Sequence, residues 1–131
     1  MVLWGKGPDY LLFTRLPEIS EYSYEVSACL GGRSVTNDSL TFLDVENFLI
    51  EVEEFERKRS GMAELKGTYD FRLAIAPHGR AGAAWVGFYL AEFLFVANGQ
   101  YGRHALEGGL VIDGEWVGQA VRELTELLRS S

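Results

Sequence analysis

From Asp70 to Ala91 two apolar strand patterns flank the turn-like segment Pro77-His78-Gly79-Arg80-Ala81-Gly82. In the first, Phe71, Leu73 and Ile75 alternate with Asp70, Arg72 and Ala74, the period of a strand with one buried and one wetter face. The second, Ala83 to Ala91, breaks that rule: Val86, Phe88 and Leu90 point one way, while Trp85, Tyr89 and Ala91 make a second apolar row on the other side. A strand of that kind needs cover on both faces. Either it lies in the middle of a sheet packed on two sides, or its second face awaits a partner.

The surrounding patterns extend this unit into one α+β domain over residues 1–131, a length that supports a single well-developed core. Strand patterns run over Tyr10 to Leu16, Glu21 to Leu30 and a shorter stretch between Ser34 and Phe42. Gly31-Gly32 marks a hairpin and Asn37-Asp38 a candidate turn. Asp44 reads as an N-cap for a helix to about Arg59, with Val45, Phe48, Leu49, Val52 and Phe55 at helical spacing. Strand patterns resume at Met62 to Gly67, Asp70 to Ala76, Ala83 to Phe95 and Tyr101 to Ile112, where Gly108-Gly109 signals a bulge or a close backbone approach. A helix capped by Asp113 closes the chain with Val117, Ala120, Val121, Leu124, Leu127 and Leu128 as its apolar stripe. The expected architecture is a twisted, mainly antiparallel sheet of about seven strands with two amphipathic helices packed on it; a strongly curved sheet or sandwich is the alternative.

Charge and chemistry narrow the function classes. With 19 acids against 12 bases the net charge is -7, which disfavours nucleic acid and favours a protein partner carrying a basic patch. Cys29 is the single cysteine, so no internal disulfide forms, and a reducing cytoplasm is the expected location. The first residues lack a signal-peptide pattern, and no apolar stretch reaches membrane-spanning length. His78 and His104 are the two histidines, too few to build a usual zinc site without carboxylates, so neither metal nor cofactor is expected. No phosphate-cradling glycine loop and no nucleophile-elbow serine is present, which points away from an enzyme.

The candidate contact residues follow from local chemistry. Glu51 and Glu54 lie on the acidic side of the first helix, His78 and Arg80 share a turn where they can meet an anionic or carbonyl group, and Glu92 interrupts an otherwise apolar run. A second set, Trp85, Tyr89, Tyr101, His104 and Trp116, would line an aromatic pocket if the chain held a small ligand or performed catalysis instead. An apolar sheet edge or face also leaves room for a homodimer.

One further signal comes from similarity. The helix phrase Phe48-Leu49-Ile50-Glu51-Val52, the strands Phe71-Arg72-Leu73-Ala74-Ile75 and Ala84-Trp85-Val86-Gly87-Phe88, the intervening Gly79-Arg80, and Glu107 through Leu128 resemble a bacterial toxin-immunity family of the WapI type and related uncharacterised bacterial domains. The chain departs from that pattern at Pro77-His78, where an acidic residue is common, and at Asp113-Gly114-Glu115-Trp116. The resemblance implies a small cytoplasmic protein that neutralises a cognate toxin by stoichiometric binding, without chemistry of its own.

Overall fold

A computed structural model describes residues 1–96 and 98–129, without the side chains of Lys6, Phe95, Val96, Gln100 and Tyr101. Nine strands form two antiparallel sheets. The first sheet is a meander of β1 (Val2–Lys6), β2 (Asp9–Arg15), β3 (Tyr24–Leu30) and β4 (Arg33–Leu40). The second contains β5 (Phe42–Leu43), β6 (Ala63–Gly67), β7 (Arg72–His78), β8 (Ala83–Val96) and β9 (Gln100–Ile112), with α1 (Val45–Lys58) inserted between β5 and β6 and α2 (Gly114–Arg129) following β9. The α+β architecture expected from the sequence is therefore present, divided into two sheets rather than drawn from about seven strands.

Two strands account for the difference. β1 pairs with β2 from Val2↔Phe13 to Lys6↔Asp9, burying Val2 and Trp4 in a segment too short and glycine-interrupted to declare itself by periodicity. The stretch read as one strand to Phe42 passes from sheet to sheet at Thr41, whose N–H donates to Thr68 Oγ1 at 3.0 Å and whose carbonyl accepts the Thr68 N–H at 3.0 Å. Phe42, just past this crossing, stacks on Tyr24 of the first sheet at 4.5 Å and meets Phe71, just before β7 of the second, at 5.5 Å. Asn37 and Asp38 belong to β4 and form no separate turn.

The helices form where their apolar stripes predict. Phe48, Leu49, Val52 and Phe55 are buried on α1, and Val117, Ala120, Val121, Leu124 and Leu127 on α2. Asp44 corrects the expected cap: it adopts a left-handed conformation and its side chain makes no capping hydrogen bond, while its carbonyl accepts the Phe48 N–H. Arg59 ends α1, also left-handed, with its N–H on the Phe55 carbonyl at 2.7 Å. Its guanidinium reaches the carbonyls of Glu56, Gly82 and Gly114, tying the helix end to the β7–β8 turn and to the start of α2.

A single buried cluster joins both sheets and both helices, and all nine core residues inferred from period (Phe48, Val52, Phe71, Leu73, Val86, Phe88, Val117, Val121 and Leu124) lie within it. β4 packs against β8 and β9, where Asn37, the buried polar side chain of this layer, donates from Nδ2 to the Ala91 carbonyl at 2.8 Å. Covered from inside by the helices and the first sheet, the five-stranded sheet keeps its other face outward.

Candidate functional site: the outer face of the five-stranded sheet

Strand alternation decides which side chains reach this face. The registers Arg72↔Tyr89, Ala74↔Gly87 and Ala76↔Trp85 between β7 and β8 continue into β9 as Tyr89↔Glu107, Gly87↔Gly109 and Trp85↔Val111. Leu43↔Lys66↔Arg72 and Glu64↔Ala74 extend the same rows across β5 and β6. One row therefore reads Leu43, Lys66, Arg72, Tyr89, Glu107, and the next Glu64, Ala74, Gly87, Gly109.

The small residues of the second row seat Trp85. A Cβ added at Gly109 would lie 2.3 Å from Trp85 Cζ2, and one at Gly87 would lie 3.1 Å from its Nε1, so the indole lies over glycine backbone. On the inner face a Cβ at Gly108 would stand 2.6 Å from Leu30 Cδ1 of the first sheet. The Gly108-Gly109 pair thus serves close approach from both sides, and no bulge interrupts the β8–β9 register. Seated in this way, Trp85 remains 39% exposed beside Val111 at 46%, with His78 6.1 Å from the indole, ring centroid to ring centroid.

Toward the other end the β8–β9 hairpin runs past β7, whose pairing with β8 stops at Tyr89. Arg103 organises this arm. It donates to Tyr89 Oη at 3.0 Å and to Asp70 Oδ2 at 3.1 Å, and its Cζ lies 4.8 Å from the centre of the Phe93 ring, which in turn lies 5.3 Å from Tyr69. Tyr89, chiefly through its hydrogen bond, and to a lesser degree Asp70 raise the Arg103 pKa further above an already basic value, so the guanidinium stays charged. Arg72 lies 5.8 Å over the Tyr89 ring and 4.0 Å from the Glu107 carboxylate.

The sequence-derived candidates divide between this face and other places. Trp85 and Tyr89 belong to it, and His78 ends β7 beside Trp85, next to the exposed turn that carries Arg80. Glu92 and His104 are cross-strand partners on the opposite side of the arm, with His104 Nδ1 3.1 Å from Glu92 Oε1. Glu51 accepts the Glu64 N–H at 3.2 Å, and Glu54 pairs with Arg57 at 2.5 Å and Lys58 at 3.0 Å; Lys58 chiefly holds the Glu54 carboxyl below the usual range. Glu51 thus ties α1 to β6, and Glu54 is engaged within α1. Trp116, half exposed, lines a groove at the start of α2 with Leu3, Trp4 and Ile112, whereas Tyr89 lines depressions on the sheet face. Trp116 is thus not brought together with Trp85 and Tyr89 in one aromatic pocket, because α2 places it over β1. Tyr101, the remaining member of that set, has its side chain outside the described residues.

Sequence reasoning missed Arg103, Arg72, Phe93 and Val111. The alternation that places Tyr89 outward also places Arg72, Phe93 and Val111 outward, but only the β8–β9 register shows that Arg103 faces Phe93. Cys29 lies half-buried on β3 of the other sheet. Among the described residues no three His, Cys, Asp or Glu converge as a metal-ligand set, and no helix is long and apolar enough to cross a membrane. Comparisons with protein-family models, with curated proteins and with solved structures each find no match for this chain.

Proposed function

We propose that this protein acts by stoichiometric binding to a protein partner, and that the outer face of its five-stranded sheet is the contact surface. The observation that carries this reading is the makeup of that face: Trp85, Tyr89, Arg72 and Arg103, with Phe93 and Val111, stand outward on a sheet whose inner side is packed into the common core as far as Leu90 of β8. Trp, Tyr and Arg are the residues that dominate binding energy at protein interfaces, because they combine large apolar contact with directed hydrogen bonds. The depressions on the face are open rather than enclosed, which suits a protein surface better than a small ligand. The net charge of -7 adds long-range steering toward a partner whose surface is basic overall. Within this class, the resemblance to toxin-immunity proteins makes a toxin the partner and blockade the outcome.

Capture of a partner by the immobilised protein, run in parallel for wild type and for Val111→Glu, tests the reading. Val111 is 46% exposed on the outer face, so the substitution leaves the fold intact, within about 0.5 kcal/mol by urea denaturation. The expected result is a one-to-one complex with wild type that Val111→Glu abolishes. Capture unchanged by Val111→Glu and by Trp85→Ala contradicts it.

A further inference from the structure

A depression of about 520 Å³ opens at the arm end of the outer face, lined by Leu43, Lys66, Asp70, Arg72, Tyr89 and Arg103 among others. Three cations meet a single carboxylate there, in a chain that carries 19 acids and 12 bases. Two of the cations, Lys66 and Arg72, are directly opposed across β6 and β7, an arrangement that costs stability because like charges face each other at the closest spacing a sheet allows. Glu64 and Glu107 offset it only from the flanks, at 3.3 Å from Lys66 and 4.0 Å from Arg72, with the Lys66, Arg72 and Glu107 side chains all more than half exposed. The two guanidiniums are also oriented in advance: Arg72 over Tyr89, and Arg103 over Phe93 with bonds to Tyr89 and Asp70. Each has five N–H donors, and a planar guanidinium matches a carboxylate with two parallel hydrogen bonds.

We infer that this depression is an anion-recognition site that takes a carboxylate-bearing, acidic segment of the partner protein. The inference rests on the sheet-face reading above and gives the local chemistry of the contact, opposite in sign to the overall charge. Asp70 on the rim disfavours the higher charge of a phosphate, and the exposed Leu43 beside Lys66 offers apolar contact to residues flanking the carboxylate.

Titration of isotope-labelled protein with an acetylated, amidated hexaglutamate peptide, followed by amide chemical shifts, tests this. The expected result is saturable shifts centred on Lys66, Arg72, Tyr89 and Arg103, none with a hexaglutamine peptide, and affinity about tenfold weaker or worse in Arg72→Glu/Arg103→Glu. Arg72→Gln/Arg103→Gln serves in its place if charge reversal alters the spectrum elsewhere. Shifts that are absent, that lie outside this site, or that survive in the double variant overturn the inference, as does tighter binding of inorganic phosphate at the same residues. Loss of the peptide signal while Val111→Glu still abolishes partner capture removes the acidic specificity alone. An intact peptide signal with capture indifferent to Val111→Glu and Trp85→Ala removes the sheet-face reading and leaves an anion site.

Discussion

The two faces of β8 are built from one stretch of chain and do opposite things. Inward, Ala84, Val86, Phe88 and Leu90 are at most 4% exposed and belong to the common core. Outward, Trp85 and Phe93 keep 39% and 38% of their surface in water, the indole resting on glycine backbone beside His78 and the Phe93 ring lying between Tyr69 and the Arg103 guanidinium. Ala91, between Tyr89 and Phe93 on the outer side, is buried without being part of the core, where Asn37 ties its carbonyl to β4. The contrast shows that apolar character on both sides of a strand need not mean burial on both sides. One row of side chains packs into the core; the other is held by glycine backbone, neighbouring rings and Arg103 without being covered.

That contrast breaks most visibly at Phe88. Phe88→Ala should lower stability by about 3–5 kcal/mol, read as a fall in the urea midpoint, because an inward ring leaves a cavity that neighbours only partly fill. A smaller but still measurable loss, about 1–3 kcal/mol, is expected for Gly109→Ala, whose new methyl must push Trp85 off its seat. The Trp85 indole N–H resonance should move in that variant, and an unmoved resonance with an unchanged midpoint would show that the glycine floor does not fix the ring. Glu54→Gln should have the least effect of all. Lys58 and Arg57 hold the Glu54 carboxyl below its ordinary pKa, so the stabilisation they give is complete above that ordinary value and fades as pH falls through the lowered folded-state value. The midpoints of Glu54→Gln and wild type should therefore converge at low pH, and high salt should erase the difference at neutral pH.

How much of this was legible in the sequence follows the range of the interactions. The β7–β8 hairpin, both helices and the nine core positions were readable because period and turn chemistry are local. β1 was not, since Val2 and Trp4 gain their burial from pairing with β2 and from the core, and Gly5 breaks the short pattern. The passage between sheets at Thr41 is held by Thr68, twenty-seven residues on, which no local pattern reveals. At the candidate site, Trp85 and Tyr89 were visible as an unexplained second row, and the Gly108-Gly109 signal was present with its close-approach meaning. Arg103 was invisible because its place depends on a register set across the tip of a long arm. Trp116 was misplaced because an aromatic at a helix start can face any neighbouring layer until helix packing is known.

The central claim, that the outward row of β8 and its neighbours is the interaction surface while the inward row is structural, is tested most directly by measuring stability and one-to-one partner binding together in Val111→Glu and Glu54→Lys. The two substitutions change charge on opposite sides of the five-stranded sheet, at positions that are both exposed. Both variants should keep near-native urea midpoints, with Val111→Glu losing the partner and Glu54→Lys retaining it. Loss of the partner in Glu54→Lys, with full binding in Val111→Glu, would contradict the claim and place the contact on the helix layer.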